Sequence, residues 1–312
     1  MHHTDLDAGA HLMARVIRAA SAQYPINELA SLQAFENKLS QWVQQAVAHG
    51  ASLLVFPEYA AMELARIVGR HMSRDLHGST EALQYYIGEY EAAHAELAKQ
   101  FGVHILAGSA PTRLADGRFV NRARIFAPNG ASGFQQKHIM NRFEAEKWGI
   151  SASTGLCVFD IGIAKLGIAI CYDVEFPLIG RAIAEAGAEI LLVPSCTDTL
   201  SGYYRVRHAC AVRALENQIY VIQSPTVGEA PWSAALDVNI GAAGFFAPPD
   251  RRFPPDGILA EGTLNEPKWL YADLDLDLLA AVRKDGDVLN YRNWGLQPGA
   301  PVLPRARLLN LD

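Results

Sequence analysis

Three polar residues in this sequence share one local setting, the abrupt end of an apolar run. "LLVFPE" stops on Glu58, "GFQQK" on Lys137 and "LGIAIC" on Cys171. If these runs are strands of one sheet pointing the same way, their ends meet at one rim. A carboxylate, an ammonium and a thiol then face each other, a set sufficient for acyl transfer. A cysteine thiol is scarcely ionised near neutrality, so a base must take its proton. Glu58 suits that task if burial behind "LLVFP" raises its pKa. Attack on a carbonyl builds an oxyanion. Lys137 and the backbone N–H of Tyr172 are candidate stabilisers, the second because the chain turns towards a helix right after Cys171.

The four cysteines, Cys157, Cys171, Cys196 and Cys210, form no CxxC pair and no His/Cys cluster at zinc spacing, so thiols are expected, with no metal and no disulfide framework. Cys157 begins a strand and Cys210 lies on an apolar helical face, which suits core packing. Cys196 in "VPSCTD" follows a strand as Cys171 does, and on local context alone it stays a rival nucleophile. Asp173 and Glu175, just past Cys171, are expected to anchor the turn there. Tyr59, Trp148, Cys196, Tyr203 and Tyr204 are candidates for lining a substrate pocket. Arg205 and Arg207 are candidates for meeting a substrate carboxylate, against the plainer reading of a solvated helix face.

The elements that would place these residues alternate. "RVIRAASAQY" reads as a strand, the stretch from Pro25 to Gly50 as a helix ended by that glycine, and "ASLLVFPEY" as a short buried strand stopping at Pro57. Leu83, Tyr86, Ile87 and Tyr90 recur at helical spacing before the strand "VHILAGSA". Such alternation implies crossover connections and sheets covered by helices. Asn129 and Gly130 between "RFVNRARIFAP" and "ASGFQQKH" signal a hairpin, so an antiparallel section joins the sheet. Strands follow at "CVFDI", "AKLGIAI", "AEILLVPS" and "IYVIQSP", with helices near 176–187 and 203–217. "FFAPPDRRFPPDG" reads as a surface loop, and "KWLYADLDLDLLAAVRK" as an edge strand running into a helix. No repeat or linker divides the chain. One domain is expected over 15–285, between a flexible N-terminal tail (1–14) and a C-terminal tail (286–312) that must dock to offset its ordering entropy, expectedly on a partner subunit.

With 312 residues, 50% of them hydrophobic, the chain can bury a large core. No apolar run reaches the roughly 18 residues of a membrane span, and the start lacks the apolar centre of a signal peptide, so a cytoplasmic location is expected. The 27 basic and 33 acidic residues are mixed along the chain, for a net charge of −6, and no basic block argues for nucleic acid.

"FPEY", "KHIMNRFE" and "CYDVEFP" together resemble, in order and separation, the three signature segments of the nitrilase superfamily of carbon–nitrogen hydrolases. "RHACAVRALENQIYVIQS" resembles the stretch that follows the nucleophile there, and the likeness spans about residues 15–275. The resemblance implies an α/β fold, a four-layer αββα sandwich, commonly paired into a homodimer or higher homo-oligomer. It makes Glu58 the general base, Lys137 the oxyanion-stabilising cation and Cys171 the nucleophile. Glu144 matches a second family glutamate, with Glu146 as a near alternative. No cofactor is implied. "CYDVEFP" is more like the amidase branches than the nitrilase or carbamoylase ones, so the expected substrate is a small amide, hydrolysed through a thioester. Nitrile hydrolysis, acyl transfer to an amine and a non-catalytic binding module are the alternatives. The sequence departs from the usual pattern at Ile139, where leucine commonly follows the histidine, and in a proline-rich insertion near 248–255, expected to shape an entrance.

Overall fold

The computed structural model describes residues 14–300 and 305–311, so the expected tail 1–14 lies, but for Ala14, outside the described residues. The chain runs β1 (Val16–Pro25), α1 (Leu32–Ala48), β2 (Leu53–Val55), α2 (Arg70–Ser73), α3 (Leu76–Leu83), α4 (Ile87–Phe101), β3 (His104–Arg113), β4 (Phe119–Phe126) and β5 (Ser132–Gln136). The second half runs β6 (Leu156–Asp160), β7 (Lys165–Ile168), α5 (Pro177–Glu185), β8 (Ile190–Ser195), α6 (Leu200–Asn217), β9 (Tyr220–Glu229), β10 (Val238–Asn239), β11 (Gly244–Phe246), β12 (Ile258–Glu261), β13 (Lys268–Asp275), α7 (Leu276–Asp285), α8 (Asn290–Asn293) and β14 (Ala306–Asn310).

The strands form two sheets, β13-β1-β2-β3-β4-β5 and β14-β6-β7-β8-β9-β11-β12, joined where Tyr24 and Pro25 of β1 pair with Thr226 and Val227 of β9. Side chains alternate across each strand. Leu53, Val55, Leu106, Ala123 and Ile125 of the first sheet share a core with Phe159, Leu166, Ile168, Leu192 and Ile222 of the second. Leu54, Ile105 and Ala107 point the other way, onto Phe35, Leu39 and Val43 of α1 and Leu97 and Ala98 of α4. On the far face of the second sheet, a Cβ on Gly167 would fall 2.1 Å from Ile183, so the glycine lets α5 lie close. The result is the four-layer αββα sandwich. Each large aliphatic side chain buried in these layers contributes roughly 1.5–3 kcal/mol.

Several boundaries differ from the sequence reading. α1 begins at Leu32, where Ser31 accepts a bond from Ala34 N (3.2 Å), because the preceding stretch is drawn aside by Asn27 N donating to the Glu63 carboxylate (2.7 Å). The helix expected through Leu83 and Tyr90 is two helices. Gln84 breaks it, its side chain donating to Pro111 O (2.9 Å) and accepting from Arg113 N (2.9 Å). Phe245 and Phe246, expected in a surface loop, are buried in β11.

Described parts of the C-terminal tail, expected to dock on a partner subunit, pack within the chain itself. Tyr291 stacks over Arg181 and Arg283, with guanidinium carbons 4.9 and 4.4 Å from its ring, and β14 adds in parallel to the edge of β6, Ala306 opposite Leu156 through Asn310 opposite Asp160. An open strand edge is a pairing template. The tail covers that edge, and Leu311 closes it by burying its side chain and donating its N–H to Asp160 O (2.8 Å).

Candidate active site

A strand end sets each reactive side chain. Past β2, the segment Phe56–Glu58 runs under a bulge in β3, where the register slips between Leu106 and Ser109. Gly108 has φ +74° there, and a Cβ on it would fall 2.0 Å from Pro57 O, so only glycine fits. The bulge lets Ser109 N donate to Pro57 O (3.2 Å) and Ser109 Oγ accept from Tyr59 N (3.0 Å), which fixes the backbone on one side of Glu58 and then the other. Lys137 follows β5, its N–H bonded to Asn121 O in β4 (2.9 Å). Cys171 opens a 3₁₀ turn (Cys171–Glu175) beyond β7, beside the end of β8, where its thiol points at the Cys196 carbonyl oxygen (3.7 Å). Tyr59 (φ +60°) and Cys171 (φ +48°) both have left-handed backbone, costing about 1–3 kcal/mol each and retained because the surroundings hold it.

Glu58, Lys137 and Glu144 are fully buried and form one cluster. Lys137 Nζ lies 2.8 Å from Glu58 Oε1 and 2.7 Å from both oxygens of Glu144. Glu58 Oε1 also accepts from Asn121 Nδ2 (2.9 Å). Glu144 opens a wide turn with π-helical bonding (Glu144–Trp148), a form frequent at functional sites, and it accepts from Tyr59 OH (2.6 Å) and Asn141 N (3.0 Å). Asp173 does not merely hold its own turn. Its buried carboxylate accepts from His138 N (3.1 Å) and Ile139 N (2.9 Å), so the residue two positions after Cys171 clamps the chain just past Lys137.

The electrostatics follow from this geometry. Burial raises the Glu58 pKa to about 7, with Lys137 opposing the rise and Glu144 adding to it. For Lys137 burial works against the charge, but Glu58 and Glu144 outweigh it and hold the ammonium protonated well above the usual lysine range. Burial, and then the charge of Glu58, push the Cys171 thiol up. The resting Cys171 side chain is therefore a neutral thiol, and the Glu58 carboxylate whose charge acts on it titrates near neutrality.

A cavity of about 640 Å³ opens onto this cluster, its walls including Glu58, Tyr59, Glu144, Trp148, Tyr172 and Cys196. Of the expected pocket residues, Tyr59, Trp148 and Cys196 line it. Tyr203 does not, because α6 turns its hydroxyl towards Glu261 (3.4 Å), while Tyr204 faces out against His208. Arg205 lines the wall beside Glu175 (3.4 Å), and Arg207 is held by Glu261 instead. Glu146, the alternative to Glu144, is exposed and paired with Arg142. Cys196 points its thiol at Asn239 Oδ1 (3.5 Å), while the Cys171 thiol points at the Cys196 carbonyl oxygen (3.7 Å). The proline-rich segment near 248–255 forms none of the wall, which residues 234–238 supply instead. Tyr172 N–H lies in the first turn of the 3₁₀ segment, where no intrahelical acceptor exists.

Sequence reasoning missed Asn121, the reach of Asp173 and the 234–238 wall. Asn121 carried a readable signal. In "VNRARI" it shares the period-two face of Ala123 and Ile125, where an apolar residue belongs. Tyr59 was expected at the pocket but not as the partner of Glu144. Tyr59→Phe removes a charge-assisted hydrogen bond and is expected to lower kcat/KM about tenfold with little change in Tm, measured by steady-state kinetics and thermal melting.

The sequence is 34% identical over 272 residues to the probable hydrolase YhcX of Bacillus subtilis, covering 87% of this chain and 52% of that one, so the chain spans about half the length of that relative. It is 26% identical over 270 residues to omega-amidase NIT2-B of Xenopus laevis, covering 83% and 90% of the two chains. The fold superposes on a carbon–nitrogen hydrolase of Helicobacter pylori G27 with a TM-score of 0.71 at 22% identity, over 87% and 93% of the two chains. The sequence profile described as Carbon-nitrogen hydrolase matches residues 18–284, and the chain belongs to that family, within the nitrilase superfamily.

Proposed function

We propose that the protein hydrolyses a small amide to its acid and ammonia through a thioester on Cys171. The observation that carries this reading is the buried cluster at the cavity, a carboxylate titrating near 7 that lies 2.8 Å from a charged ammonium and whose charge acts on the Cys171 thiol. Glu58 takes the thiol proton as Cys171 attacks the carbonyl, and the oxyanion is met by Lys137 and the Tyr172 N–H. The proton passes from Glu58 to the leaving nitrogen as the C–N bond breaks. Water, deprotonated by the same carboxylate, then attacks the thioester and frees the acid. Glu144 holds Lys137 in place through both its oxygens. The omega-amidase relative supports an amide substrate.

Mass spectrometry of the protein mixed with a panel of small amides tests the reading. An acyl adduct on Cys171 and ammonia released in step with acid are expected. Faster ammonia release from matched nitriles would overturn the amide assignment, and product that depends on an added amine would indicate acyl transfer. Because Glu58 must be ionised to act, kcat/KM is expected to rise with pH through about 7 and to level above it. Glu58→Gln keeps the shape but cannot accept the proton, so it is expected to lower kcat by about 10³-fold and to remove that pH step.

A further inference from the structure

The polar group on the inner face of β4 is out of place by the logic of the fold. Asn121 is fully buried on the side that carries Ala123 and Ile125 into the core between the sheets. Its side-chain oxygen, Oδ1, has no hydrogen-bond partner among the described residues. A half-satisfied amide is a poor choice for stability, since an apolar residue of the same shape would leave nothing buried and unpaired. What the amide does accomplish lies on its nitrogen side. Nδ2 donates to Glu58 Oε1 (2.9 Å), the same oxygen that Lys137 Nζ approaches to 2.8 Å. The Asn121 carbonyl meanwhile accepts from Lys137 N (2.9 Å), so one residue fixes the base through its side chain and the cation through its backbone.

We propose that Asn121 is a positioning residue for Glu58: its amide pins Oε1, so that Oε2 alone is presented to the Cys171 thiol, and it favours the ionised carboxylate that can take the proton. A donor to a carboxylate stabilises the charged form, so removing it shifts the base towards protonation. The inference rests on Glu58 being the base.

Chloroacetamide provides a probe that needs no knowledge of the natural substrate. Cys171 sulfur forms a bond to the methylene carbon, the C–Cl bond breaks, chloride leaves and the thiol proton passes to Glu58. The alkylation rate, followed by protein mass against pH, is expected to rise through about 7 in the wild type. In Asn121→Leu the midpoint is expected to move up by about one unit, so the rate at pH 6 falls about tenfold and that at pH 9 changes less than about twofold. The melting temperature is expected to be unchanged or higher. Asn121→Asp, isosteric but offering an acceptor in place of the donor, is expected to move the midpoint further up and secures the test if the leucine variant does not fold. A midpoint left in place, or an equal loss of rate at every pH, would overturn the role of Asn121 alone. A wild type with no step near 7, or one whose step survives Glu58→Gln, would overturn the base assignment on which it rests.

Discussion

Replacing Cys171 by alanine is expected to lower kcat/KM for amide hydrolysis by at least about 10⁴-fold, with no acyl adduct detectable by mass. Among the described residues at the site, the other candidate groups are engaged elsewhere. Glu58 and Glu144 are held by Lys137, and the nearest second thiol, Cys196, is aimed at Asn239 Oδ1 (3.5 Å). The loss of one sulfur beside the Cys196 carbonyl leaves a small void, so Tm is expected to fall by only a few degrees. Cys196→Ala, which alters the cavity wall, is expected to cost no more than about tenfold in kcat/KM and to keep the adduct. The reverse pattern, activity in Cys171→Ala and none in Cys196→Ala, would move the nucleophile to the other strand end.

That pair of cysteines also marks how far the sequence could be read. Both lie at the ends of parallel strands that neighbour each other, with Ile168 of β7 opposite Leu192 of β8, so a pattern that locates strand ends locates both equally. What separates them is backbone conformation. Cys171 turns at φ +48° into a 3₁₀ segment and meets Glu58, and no local composition encodes that turn. The strand ends carrying Glu58 and Lys137 were legible because an apolar run that stops on a charge is a local signal. The bulge at Gly108, which holds the backbone around Glu58, depends on the register of β3 against β4, a long-range property. Tyr203 was misjudged because one residue along α6 rotates a side chain by about 100°, which sends its hydroxyl to Glu261. The tail carried no periodic pattern, since a single strand added in parallel to the edge of β6 needs only backbone groups to pair.

Lys137→Met is the substitution for which activity and stability are expected to fail together, and pH separates the two. Among the described residues, the ammonium is the only cation paired with the Glu58 and Glu144 carboxylates, all three groups being fully buried. Taking out one partner of such a cluster leaves uncompensated charge and costs about 3–5 kcal/mol near neutral pH, in contrast to the small worth of a surface pair. Without that cation, buried Glu58 holds its proton more tightly folded than unfolded, because burial raises its pKa and the ammonium that opposes the rise is gone. Stability is then greatest below the ordinary carboxylate range and is lost as pH rises through the raised Glu58 value. Chemical denaturation is therefore expected to find the variant much weaker than wild type at pH 8 and closer to it at pH 5. Catalysis cannot follow that recovery. At pH 5 Glu58 is protonated and no cation meets the oxyanion, so kcat is expected to stay at least about 10³-fold down across the range. A variant equally unstable at both pH values would mean that Lys137 acts by filling space, and one that regains activity at low pH would remove it from the oxyanion site.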